Sequence, residues 1–155
     1  MEYTLNPCPI FWDQLIECAF HVFDTFAGMP DSLAEDEAGF RKTFSDNSLK
    51  QVKSLLANNS DTFVHPGVFP RSASEHIHGL TFRFAHIDVD IERSVGDCCA
   101  FVYPRLAPGG VMVFDDYGDP YCPGAARAVD AYFAGRPDSV VHLPLLSSAV
   151  LIKRG

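Results

Sequence analysis

Phe82-Arg83-Phe84-Ala85-His86-Ile87-Asp88-Val89-Asp90 and Val111-Met112-Val113-Phe114-Asp115-Asp116 are strand-like runs that each end in a pair of acids. Between them lie a helix-sized stretch, Ile91 to Leu106, and the turn Ala107-Pro108-Gly109-Gly110. The order strand, acids, helix, turn, strand, acids predicts a βαβ unit whose two strands are parallel neighbours. In an open α/β sheet the ligand crevice lies outside the carboxyl ends of the strands, so both acid pairs fall where a site is expected.

Working outward, the 155 residues form a single expected domain, 1–155, with a hydrophobic fraction of 47% and a charged fraction of 21%, ordinary for a soluble globule. The net charge is −8 and no lysine lies between Lys53 and Lys153, so a phosphate-tracking surface has little to be built from. Nucleic acid and anionic membranes are therefore not expected partners. Cys8, Cys18, Cys98, Cys99 and Cys122 show no metal-binding spacing, and their odd number argues against a disulfide framework. The expected location is the cytoplasm, since no basic-then-apolar leader and no run of about 18 apolar residues is present.

The flanking segments give shorter elements. Pro9 to Ala19 reads as a short helix, and Phe20 to Phe23 as a strand ending at Asp24 before Gly28 and Pro30 break regular structure. Asp31 to Glu37 is an acidic stretch, read first as a solvated face. Leu49, Val52, Leu55 and Leu56 mark an amphipathic helix within Ser48 to Leu56, and Thr62 to His65 is a brief strand. Arg71 to Gly79 fits a loop or a short helix equally well. Ala125 to Phe133 is helical in pattern, and Val140 to Leu143 with Ala149 to Ile152 are spaced as an antiparallel hairpin.

Carboxylates gathered at adjacent strand ends repel one another, and a divalent cation relieves that repulsion. An oxygen-only donor set favours Mg²⁺, Mn²⁺ or Ca²⁺ over zinc. The reading assigns Asp88, Asp115 and Asp116 as metal ligands and Asp90 as the base that takes a proton from a metal-bound hydroxyl. The competing reading makes some of these aspartates caps of the helices that follow them. His86 is more simply a buried strand imidazole, and Cys98-Cys99 a packing pair. His76 and His78 flank Ile77 without a third soft ligand nearby. Tyr117, Tyr121 and Arg127 follow Asp116 closely enough to line the same crevice.

Five segments occur in a telling order: Phe23-Asp24-Thr25-Phe26-Ala27-Gly28-Met29-Pro30, His65-Pro66-Gly67-Val68-Phe69-Pro70, His86-Ile87-Asp88-Val89-Asp90, Tyr103-Pro104-Arg105-Leu106-Ala107-Pro108-Gly109-Gly110 and Phe114-Asp115-Asp116-Tyr117-Gly118. Together, from about Phe23 to Phe133, they resemble the TylF-type (macrocin) O-methyltransferases, a class I S-adenosylmethionine-dependent family acting on sugar hydroxyls of natural products. The resemblance implies a Rossmann-like α/β methyltransferase sheet with a C-terminal antiparallel hairpin. It implies Mg²⁺ on Asp88, Asp115 and Asp116, Asp24 beside the ribose of S-adenosylmethionine, and a small-molecule hydroxyl as acceptor.

The family's first strand and glycine-rich turn should precede Asp24, yet residues 1–27 contain no glycine, and a complete βαβ unit takes roughly 30 residues or more. Unpaired strand edges left by such a shortening favour a homo-oligomer, in the simplest case a dimer. A shortened methyltransferase-fold module that binds metal or a partner chain without catalysis is the alternative. Glycosyltransferases also place an Asp-x-Asp at a strand end, but that leaves the second acid pair unexplained. Haloacid-dehalogenase-type phosphatases need a lysine between the pairs, where this chain has none.

Overall fold

A computed structural model describes residues 18–29 and 48–155. The expected helix at 9–17 and the acidic stretch at 31–37 lie outside the described residues. In chain order the elements are β1 (Phe20–Asp24), α1 (Leu49–Leu55), β2 (Thr62–Pro66), α2 (Glu75–His78), β3 (Phe82–Ile87), α3 (Glu92–Val102), β4 (Leu106–Phe114), α4 (Pro123–Phe133), β5 (Val140–Leu143) and β6 (Ser148–Ile152). The fold is the expected mixed α/β arrangement, with β5 and β6 as the C-terminal antiparallel hairpin.

The strands form two sheets, a four-stranded one in the order β3-β4-β6-β5 and a parallel pair, β1-β2. β3 and β4 are parallel, with Ile87 opposite Phe114. The βαβ unit read from the acid pairs is present. Among the described residues, the edge of β1 away from β2 and the edge of β3 away from β4 have no ladder partner. The pair β1-β2 joins the rest through aromatic contacts: Phe23 lies 4.5 Å from Phe69, and Phe69 meets Phe101 edge-on at 5.0 Å.

Alternation decides the core. Met112 and Phe114 on β4 and Ala149 and Leu151 on β6 are almost wholly buried, each large side chain contributing about 1.5–3 kcal/mol. Helices α3 and α4 cover them. Val95, Cys98, Cys99 and Val102 line the buried stripe of α3, and Ala125, Ala128, Val129 and Phe133 that of α4. Burial pushes the Cys98 and Cys99 thiols up to about 12, so both behave as apolar packing groups. At the solvent rim Arg127 Nη2 meets Glu92 Oε2 at 2.6 Å, tying the two helices together.

Two local expectations are corrected. The helix expected to reach Leu106 stops at Val102 and tightens into a 3₁₀ turn, Tyr103–Arg105, because Pro104 cannot donate to the helix ladder. Ala107-Pro108-Gly109-Gly110 is not a separate turn but part of β4, whose pairing jumps from Phe82–Leu106 to Phe84–Val111. The additional residues fit because Gly109 has φ +76° and because a Cβ on Gly110 would meet Ala107 O at 2.8 Å. Gly109 N then donates to Lys153 O at 2.8 Å, and Lys153 N to Gly110 O at 2.9 Å. The ambiguous stretch 71–79 contains the short helix α2, which buries Ile77 completely.

Candidate active site and metal centre

The ladder between β3 and β4 runs one residue past the strands, with Asp115 N donating to Ile87 O at 2.9 Å. This bond sets the two acid pairs side by side at one sheet edge. Among the described residues four non-glycine residues have positive φ, and all four lie at strand ends: Phe26 after β1, Asp90 after β3, Asp116 after β4 and Ser147 just before β6. Such backbone costs an L-residue roughly 1–2 kcal/mol, least for Asp, and concentrates at functional edges. At Asp90 and Asp116 it turns the chain sharply out of the sheet.

The trio that converges most closely is Asp90, Asp116 and Cys122, whose potential ligand atoms all lie within 4.8 Å of one another. The carboxyl groups of Asp90 and Asp116 face each other closely enough to interact. Cys122 Sγ lies 3.9 Å from Asp90 Oδ1. Partial burial first, then the facing Asp116 carboxyl and the charge of Asp88, raise the Asp90 carboxyl to about 7. Asp88 is also held above the usual carboxylate range, by burial of its carboxyl and then by repulsion from Asp115 and Asp116. His86 offsets this in part, and Asp24 adds to it. Asp115 accepts from Ser148 Oγ at 3.0 Å, which fastens β6 to the acid edge.

Neither helix draws its cap from these acids. The N-cap of α3 is Ile91 and that of α4 is Cys122, both without a side-chain cap. That removes the capping explanation for Asp90 and Asp116. Asp24 stands at the end of β1, where its Oδ1 accepts from Phe26 N at 2.6 Å while Thr25 Oγ1 donates to Gly28 O at 2.7 Å. Its effect on Asp88 places both at the same edge of the molecule.

Of the crevice candidates, Tyr117 donates its hydroxyl to Asp130 Oδ1 at 2.6 Å, which raises it to about 12. Arg127 is engaged by Glu92, and Tyr121 is 84% exposed. Sequence reasoning missed Cys122 and Ser148. Cys122 reaches the site through successive turns, Asp119 N to Asp116 O at 3.0 Å and Cys122 N to Asp119 O at 3.1 Å. The clue available was the Gly/Pro-rich segment after Asp116, which permits such a return.

The donor set suits a hard divalent cation, because a cation relieves the mutual repulsion of clustered carboxylates. Cys122 is the one soft atom beside them. A family model described as Macrocin-O-methyltransferase (TylF) matches residues 14–145, a span that contains every one of these acids. The chain belongs to the TylF family.

Solved structures carry the same fold as this TylF member. The O-methyltransferase NovP superposes with a TM-score of 0.76 at 22% identity, over 92% of this chain and 63% of NovP. CalS11, a calicheamicin methyltransferase, gives 0.73 at 19% over 88% of this chain and 60% of its own. An apo structure of CalS11, described as a TDP-rhamnose 3'-O-methyltransferase, gives 0.63 at 17%. The TylF chain thus spans less than two thirds of either protein's length. None of the curated proteins matches it. Among its described residues no helix is long and apolar enough to cross a membrane.

Proposed function

We propose that this chain carries the acceptor and metal half of an S-adenosylmethionine- and Mg²⁺-dependent O-methyltransferase acting on a hydroxyl of a sugar or natural product. The supporting observation is the Asp90–Asp116 pair at the β3 and β4 ends, inside the family match. Asp88, Asp115 and Asp116 would hold Mg²⁺, with Asp90 beside them. When bound, the cation supplies positive charge that lowers the pKa of an acceptor hydroxyl. Asp90, at the end of β3 beside Asp116, is the carboxylate placed to take that hydroxyl's proton. Asp24 would accept from the ribose of the methyl donor through the carboxylate oxygen that Phe26 N does not occupy. Ser148 holds Asp115 in place.

The acceptor is a small molecule, by analogy with the TDP-rhamnose named for CalS11. Residues 1–155 act as one domain, in the cytoplasm and as a homo-oligomer, simplest as a dimer. Nucleic acid and membranes are not partners, in keeping with the net charge of −8. A second reading, a module that keeps the fold and the metal without catalysis, is favoured by the edges of β1 and β3 that have no ladder partner among the described residues.

The two readings separate by calorimetric titration with S-adenosylhomocysteine, followed by a methyl-transfer assay on a TDP-deoxysugar with Mg²⁺. Saturable binding and transfer abolished in Asp90→Asn support the enzyme. A folded chain that gives no heat at millimolar ligand supports the non-catalytic module.

A further inference from the structure

Away from the acid edge, three imidazoles gather on the small sheet. In the parallel register of β1 and β2, His21 lies opposite Phe63 and Phe23 opposite His65, so side-chain alternation puts His21 and His65 on one face. His21 Nδ1 and His65 Nε2 are 3.0 Å apart, and the two rings are 5.2 Å apart between centroids. His76, exposed on α2, tilts toward His21 with 6.5 Å between centroids. Sequence reading left His76 without a third soft ligand; the fold brings two imidazoles to it.

We propose that His21, His65 and His76 form a second metal site, for a borderline divalent cation such as Zn²⁺, separate from the oxygen-rich acid edge. Two imidazoles on a tetrahedral zinc, with Zn–N bonds of about 2.0–2.1 Å, hold their nitrogens about 3.3 Å and their ring centroids about 5 Å apart. The His21–His65 pair already has that spacing to within a few tenths of an ångström. The His76 ring must come closer by about 1.5 Å, a shift within reach of rotation about the bonds of an exposed side chain.

His21 Nε2 is shut off from water and has no hydrogen-bond partner. The ring is therefore poorly placed to become a solvated imidazolium, and stays in the neutral form that binds metal. The contact with His65 requires one shared hydrogen. On metal binding that proton moves to the other nitrogen of its own ring, so no net proton is released. Three nitrogens and a water complete a four-coordinate site of the kind imidazole donors select, to which Mg²⁺ is indifferent.

The site also has a physical task. A two-stranded sheet is marginal on its own, and no residue of β1 or β2 is fully buried. A cation would pin β1, β2 and α2 together.

The test uses the full chain without a polyhistidine tag, with Asp88→Asn, Asp115→Asn and Asp116→Asn introduced to remove the acid-edge ligands. Zinc is titrated calorimetrically, and thermal unfolding is followed with Zn²⁺ or Mg²⁺ present. One Zn²⁺ per chain is expected, with a raised melting temperature that Mg²⁺ does not reproduce. Affinity should fall about tenfold or more in His76→Ala, a surface change that leaves the fold intact. Absence of zinc binding, equal affinity in His76→Ala, or loss of binding in Cys122→Ser instead would overturn the proposal.

Discussion

The four-stranded sheet and the β1-β2 pair are built from similar residues but held in different ways. In the former, Met112, Phe114, Ala149 and Leu151 are sealed under α3 and α4. In the latter every residue is half-buried or exposed, and cohesion comes from stacked rings, Phe23 on His65 at 4.6 Å and His21 on Phe63 at 5.2 Å. Both regions end at the edge where Asp24, Asp88, Asp90 and Asp116 gather. The lesson is that the site straddles a rigid half and a soft one, so acceptor-side groups are pre-positioned while Asp24 rides on the less stable element.

The comparison is broken most directly at its strong end. Leu151→Ala should lower stability by about 2–5 kcal/mol in denaturant titrations, against under about 1 kcal/mol for Val22→Ala in β1. Equal effects would mean that the two sheets form one cooperative core. At the shared edge, Asp90→Asn should cut methyl transfer about 10²–10⁴-fold while leaving the fold intact, if Asp90 is the base.

Acid and alkali should act on the two regions with opposite sign. The Asp90 carboxyl is raised from 3.8 to about 7, so between those values the folded chain binds more protons than the unfolded one. Stability present below pH 3.8 is therefore lost as pH rises toward 7, by about 1–2 kcal/mol once solvent screening is included. Asp90→Asn should flatten that slope in melting curves. His21 is shifted the other way, below 6.5, by burial first and then by His65 and His76. Its contribution is complete above 6.5 and fades as pH falls through that range. Protection factors in β1 and β2, taken against the intrinsic exchange rate at each pH, should fall on acidification, while those of β4 and β6 hold.

The smallest effect belongs to Arg127 and Glu92, which are 56% and 46% exposed. Arg127→Ala should change stability by less than about 1 kcal/mol, and 0.5 M salt should remove most of the difference.

Much of this architecture was legible beforehand because its signals are local. Alternating apolar residues followed by acids marked β3 and β4, and a stripe of small and apolar residues marked α4 within two residues of its observed start. The hairpin likewise followed from spacing. What misled was local chemistry overridden from a distance. Pro108-Gly109-Gly110 carries turn residues, yet pairs with the chain after β6 because Lys153 lies opposite.

By itself, the sequence determined the βαβ unit, its acidic strand ends and the TylF family, since periodicity and ordered motifs survive without contacts. Only the tertiary structure decided which acids meet. Asp90 and Asp116 come together with Cys122, and His21 and His65 with His76, because side chains from separate strands, loops and helices converge through sheet register and turn geometry. Distance along the chain encodes neither.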